Sequence, residues 1–136
     1  MKSTIVAPKL SENVMGESDN DFVIAEWLDA GGANFDPPRL IAPLHLHRSD
    51  DEAWYVLEGM LCVQRGDEVV EVRAGAAVLV PRGAPHTYWN PTAEPVRYLL
   101  VMAPRILHLI EAIHALKERS PAALRAVFEE HDSELL

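Results

Sequence analysis

The chain has 136 residues, 49% hydrophobic and 24% charged, a balance that suits one packed domain and argues against disorder. Its 21 acidic and 12 basic side chains leave a formal net charge of −9, which speaks against nucleic acid and anionic membrane surfaces, since both need a basic footprint. Cys62 is the one cysteine, so no internal disulfide can form, and neither a signal-peptide pattern nor a membrane-length apolar run is present; a cytoplasmic protein is expected.

In chain order, residues 1–21 read as an N-terminal arm. A short strand is expected over Thr4–Ala7, and the polar stretch after it as a loop or as an edge strand exchanged with a partner subunit. Phe22–Leu28, rich in aromatic and β-branched residues, is the first convincing strand, ended by Gly31-Gly32 and Pro37-Pro38. Leu40–His47 follows, with Pro43 marking an edge, a bulge or a mouth position. Glu52–Leu57 reads as a strand buried on both faces, and Leu61–Arg65 with Glu68–Arg73 as a hairpin about Gly66-Asp67. Ala76–Val80 reads as short and buried, and the stiff loop Pro81–Pro85 leads into the final strands, His86–Trp89 and Val96–Met102. The period then changes. Pro104 suits a first helical position, and Ile106, Leu109, Ile110, Ile113 and Leu116 recur at helical spacing. Ser120-Pro121 starts a second helix as N-cap and first residue, and the acidic tail 131–136 is expected to fray.

His45 and His47 stand two apart, so in a strand both imidazoles point the same way. Glu52 arrives five residues later, and His86 offers a third imidazole from a distant stretch. The first pattern, His45-x-His47-x4-Glu52-x6-Gly59, resembles the first motif of the cupins. Gly75-x5-Pro81-x-Gly83-x2-His86-x3-Asn90 is similar to their second. One departure is visible: Arg39 stands where the family often has glycine, six residues before the first histidine. The resemblance covers about residues 40–103 and implies an all-β fold, a single jelly-roll barrel of the small cupin 2 type with C-terminal helices. It divides the chain into a barrel, 1–103, and a helical segment, 104–136, packed on the barrel or on a partner.

It further implies that His45, His47, Glu52 and His86 bind one divalent transition metal. Three imidazoles and a carboxylate suit Fe, Mn, Ni, Cu or Zn without choosing among them. With six-coordination, positions stay open for substrate. Trp54, Tyr88, Tyr98 and Met102 are the candidate substrate-binding wall, Tyr88 sharing the face of His86. Glu52 is the candidate catalytic base. Gly59, Gly75 and Gly83 read as turn residues, Asn90 as turn-forming or supporting, and Cys62 as an inert packed thiol. Asp50 and Asp51 read as a solvated turn, and His108, His114 and His131 as surface or interface residues. The terminal helices are too acidic for a DNA-reading helix pair.

The leading functional expectation is a quercetinase-like, metal-dependent dioxygenase acting on a small aromatic or enol-type substrate. A redox-neutral isomerase, cyclase or decarboxylase of the same fold is the first alternative, and a non-catalytic small-ligand-binding cupin the second. Small cupins resembling this chain are commonly homodimers, and the apolar first helix supports association.

Overall fold

The computed structural model describes residues 7, 10, 13–32 and 37–136. The strand expected over Thr4–Ala7 lies, apart from Ala7, outside the described residues. Side-chain alternation builds most of the rest. In β9 (Val96–Met102) burial alternates residue by residue, with Val96, Tyr98, Leu100 and Met102 inside. On either side of β9 lie β2 (Val23–Asp29) and β4 (Glu52–Glu58), both antiparallel to it. β1 (Val14–Met15) and β7 (Ala77–Val80) complete the sheet, in the order β1-β2-β9-β4-β7. The second sheet contains β3 (Ala42–His47), β5 (Met60–Arg65), β6 (Glu68–Arg73), β8 (His86–Trp89) and β10 (Ser133–Leu135). Its order is β10-β3-β8-β5-β6.

From β3 to β9 the chain passes repeatedly from one sheet to the other, which winds it into the expected jelly roll. The inner faces meet in one core that includes Trp54, Val56, Leu61, Val63, Tyr88 and Leu100. Gly66, with φ of 59°, makes the tight turn of the β5–β6 hairpin. At Gly59, with φ of 84°, a Cβ would sit 2.6 Å from the Pro95 carbonyl oxygen, so a side chain is excluded twice over.

Several expectations are corrected. β4 is not buried on both faces: Glu52, Trp54 and Val56 face the core, whereas Tyr55 is 41% exposed, because no described layer covers the outside of this sheet. For the same reason β7, an edge strand, leaves Leu79 56% exposed. Val14–Met15 pairs with β2 of its own chain. The tail does not fray; residues 133–135 form β10 and pair with β3.

The helices α1 (Pro104–Ala115) and α2 (Pro121–Glu130) start as the prolines require, with Ser120 Oγ accepting from the Ala123 amide at 3.1 Å. Ile106 joins the barrel core, while Leu109, Val127 and Phe128 form a second cluster. Arg105 clamps α1 to the β3–β4 turn through a forked pair with Asp50, one bond being 3.0 Å. Asp51 is likewise taken up by Arg82. The apolar stripe of α1 is thus covered within the chain and no longer argues for association. No helix among the described residues is long and apolar enough to cross a membrane.

Candidate metal centre

Two residues of one strand and the first residues of two others bring four donors together. His45 and His47 lie on β3, Glu52 opens β4 and His86 opens β8. One ligand atom from each lies within 4.8 Å of all the others, and all four residues are buried. Donors on opposite sides of an ion with bonds near 2.1 Å are about 4 Å apart, so the spacing suits a single metal ion. The expected ligand set converges in space although 41 residues separate its ends, His45 and His86.

Each imidazole is oriented from behind. The β3–β8 register slips between Ala42 and His45, and there the Pro43 carbonyl accepts from His45 Nδ1 at 2.5 Å. The Ala84 carbonyl, in the loop stiffened by Pro81 and Pro85, accepts from His86 Nδ1 at 2.9 Å. His47 Nδ1 lies 2.7 Å from Ser133 Oγ on β10. That hydroxyl donates to the His131 carbonyl at 3.1 Å, so toward His47 it accepts. All three Nδ1 atoms therefore carry protons, and the Nε2 atoms are left to face the centre.

The centre is then rich in acceptors. Glu52 Oε2 lies 3.1 Å from Nε2 of both His47 and His86, and His45 Nε2 lies 3.2 Å from His47 Nε2. Lone pairs facing lone pairs at these distances repel unless a cation or added protons sit between them. A divalent metal ion fits that requirement, as does the chemistry of the donor set. Burial pushes the Glu52 carboxyl up, but where added protons on Nε2 take the place of a cation, hydrogen bonds and charge from His47 and His86 outweigh it and hold it at about 2. His45 is lowered to about 4, first by burial and then by the positive charge of His86 and His47.

A cavity of about 510 Å3 opens onto His45, His47 and Glu52, with His86 behind them at 1% exposure. Its far wall is the part of the chain that carried no motif: Ile106, Leu109, Ile110 and Ile113 of α1, with Leu124 and Phe128 of α2. The Phe128 ring stands edge-on to His45 at 5.3 Å. Of the four expected wall residues, Tyr88 and Tyr98 line the cavity, with hydroxyls 3.1 Å apart and both held protonated chiefly by burial. Trp54 and Met102 do not reach it. Trp54, 1% exposed, packs behind Tyr88 and His86, and Met102, pairing with Glu52 across the sheet, is equally buried.

The wall also holds residues that the motifs did not point to. Trp27 Nε1 is buried with no hydrogen-bond partner among the described residues, a donor available to a ligand. His114, read as a surface or interface residue and exposed here, and Arg119 also border the cavity. Trp27 was within reach of pattern reading, because it shares the inner face of β2 with Val23 and Ala25. Ser133 was not, standing 86 residues from His47 with no local signal. Asn90 is turn-forming: its Nδ2 donates to the Glu94 carbonyl at 2.7 Å. Cys62 is a free, buried thiol.

Comparison with known proteins agrees with this architecture. A mannose-1-phosphate guanylyltransferase from Salmonella muenchen is 28% identical over 86 residues, covering 63% of this chain but only 17% of that much longer protein. A solved structure from Klebsiella pneumoniae, an uncharacterized conserved protein with a double-stranded beta-helix domain, is 26% identical. It matches with a TM-score of 0.56 over 76% of this chain and 91% of its own. The structure of TT1209 from Thermus thermophilus is 30% identical, with a TM-score of 0.52 over 61% of this chain and 72% of that one. The family model described as Cupin domain matches residues 33–102, just over half of the chain and a stretch that carries all four donors, and the chain is therefore a member of the cupin family.

Proposed function

We propose that this cupin is a metal-dependent enzyme of quercetinase-like type, a dioxygenase acting on a small aromatic or enol-type substrate. The observation that carries the reading is the 510 Å3 cavity, walled mainly by apolar and aromatic side chains and ending on the four-donor cluster. His45, His47, Glu52 and His86 would hold the metal, which when bound supplies Lewis acidity and, for a redox-active ion, one-electron chemistry. Tyr88 and the α1–α2 wall exclude water and hold the apolar body of the substrate. Trp27 Nε1 donates to a substrate oxygen, and Glu52 removes a proton from a substrate hydroxyl through a carboxylate oxygen.

A second reading is favoured by the Tyr88–Tyr98 pair, two protonated hydroxyls on the cavity wall that suit a redox-neutral isomerase, cyclase or decarboxylase. The relative from Salmonella muenchen acts, by its name, on a sugar phosphate, but its nucleotidyl transfer is not carried over from 17% of its length. Loading the protein separately with Fe, Mn, Ni, Cu and Zn and testing flavonols, diketones and catechols separates the readings. Oxygen uptake that vanishes with zinc supports the dioxygenase. Turnover that zinc sustains without oxygen overturns it in favour of the redox-neutral enzyme, and binding without turnover favours the ligand-holding cupin.

A homodimer in the cytoplasm belongs to the same proposal. Its support is now the outer face of the first sheet, where Leu99, Val101, Tyr55 and Leu79 lie side by side across three adjacent strands. Sedimentation equilibrium showing a clean monomer at micromolar protein would refute the dimer.

A further inference from the structure

The C-terminal segment does more than cover the barrel. After α2 the chain turns at Asp132, whose φ is 56°, and returns to the sheet edge as β10. There Ser133 pairs with His47 and Leu135 with His45, so the last strand lies directly beside the strand that carries two of the four donors. Ser133 is fully buried, at 0% exposure. Its hydroxyl has one proton, directed at the His131 carbonyl, and its lone pair receives His47 Nδ1 at 2.7 Å. A buried hydroxyl placed this way fixes the proton on Nδ1 and leaves Nε2 as the only nitrogen able to ligate. The partners of His45 and His86 are backbone carbonyls two residues before them, inherent to the local chain. His47 alone depends on a residue brought from the far end of the sequence.

We propose that Ser133 is the positioning residue of His47, and that β10 is thereby an integral part of the metal centre. The proposal rests on the reading that the four donors bind a metal. Removal of a partner behind a ligating histidine costs about 10–100-fold in metal affinity, and that is the loss expected for Ser133→Ala. Because alanine could also loosen β10, the pair Ser133→Thr and Ser133→Val isolates the hydroxyl, the two side chains having nearly the same shape.

The experiment measures zinc affinity of the full chain by chelator competition, with melting of the metal-free proteins alongside. Threonine within a few-fold of wild type and valine about 10–100-fold weaker, at equal metal-free stability, is the expected result. Equal affinity for the two variants overturns the proposal while leaving the metal site intact. Wild-type protein that takes up no zinc overturns the site reading itself and the proposal with it. Ring-nitrogen NMR of zinc-loaded wild type gives a readout that needs no variant: His47 must ligate through Nε2 and keep its Nδ1 proton. Ligation through Nδ1 overturns the proposal.

Discussion

Phe128→Ala tests whether the segment beyond the barrel really forms the wall of the site. Phe128 is 1% exposed, touches the cavity, and packs with Leu109, Val127, Ile113 and Leu135. Truncating a buried phenylalanine costs about 3–5 kcal/mol, the spread reflecting how far the void can relax. Here the new space would merge with the existing 510 Å3 cavity and fill with water, so the lower end, about 3 kcal/mol, applies. Unfolding entropy of about 2.1 cal/mol/K per residue over 136 residues is roughly 0.29 kcal/mol/K, which converts the loss into a fall of about 10 °C in melting temperature. Calorimetry of chelator-treated wild type and variant measures it. Metal affinity should fall only a few-fold, because the ring meets His45 edge-on and holds none of its nitrogens. A fall of less than about 3 °C, a third of that estimate, would refute the packing of α2 against the site.

Glu52→Gln separates ligand from base: with metal saturating, a turnover loss of at least about a hundredfold persists if the carboxylate takes the substrate proton. A metal-loaded variant turning over like wild type would end the base role. Chelation should leave a cooperative unfolding transition, since the barrel core packs without the ion, and added metal should raise the midpoint by binding only the folded form; loss of cooperativity on chelation would contradict this. In metal-free protein His45 favours the folded state fully above its unfolded value of about 6.5, and that contribution is lost as pH falls toward about 4. Denaturant titrations of wild type and His45→Ala should therefore differ in slope across that window, by up to about 3 kcal/mol in total; parallel curves would remove the effect. The Cys62 thiol, pushed up first by burial and then by Glu71, should resist alkylation at pH 8 until the protein unfolds, and prompt labelling of native protein would show otherwise.

The four donor positions were legible in the sequence, His45 and His47 as a pair because strand geometry is local, and Glu52 and His86 through the resemblance to the cupin motifs. Two histidines two apart on a strand must share a face, and the glycines and prolines that space Glu52 and His86 act within a few residues of themselves. The succession of strands from β2 to β9 and the two helices followed from equally local signals, namely turn residues and the change of period at Pro104. Whether a strand's second face is buried is not local: β4 and β7 are apolar enough to suggest it, yet their place in an open outer sheet leaves Tyr55 and Leu79 exposed. The tail is the clearest case. An acidic hexapeptide has little strand propensity, and only the return of α2 across the sheet edge pairs residues 133–135 with β3 and sets Ser133 behind His47. The same docking turns the apolar stripe of α1 inward, so that it closes the cavity over the donors. Contacts spanning some 86 residues carry no mark in the sequence, because each partner is chosen by where the other has been placed.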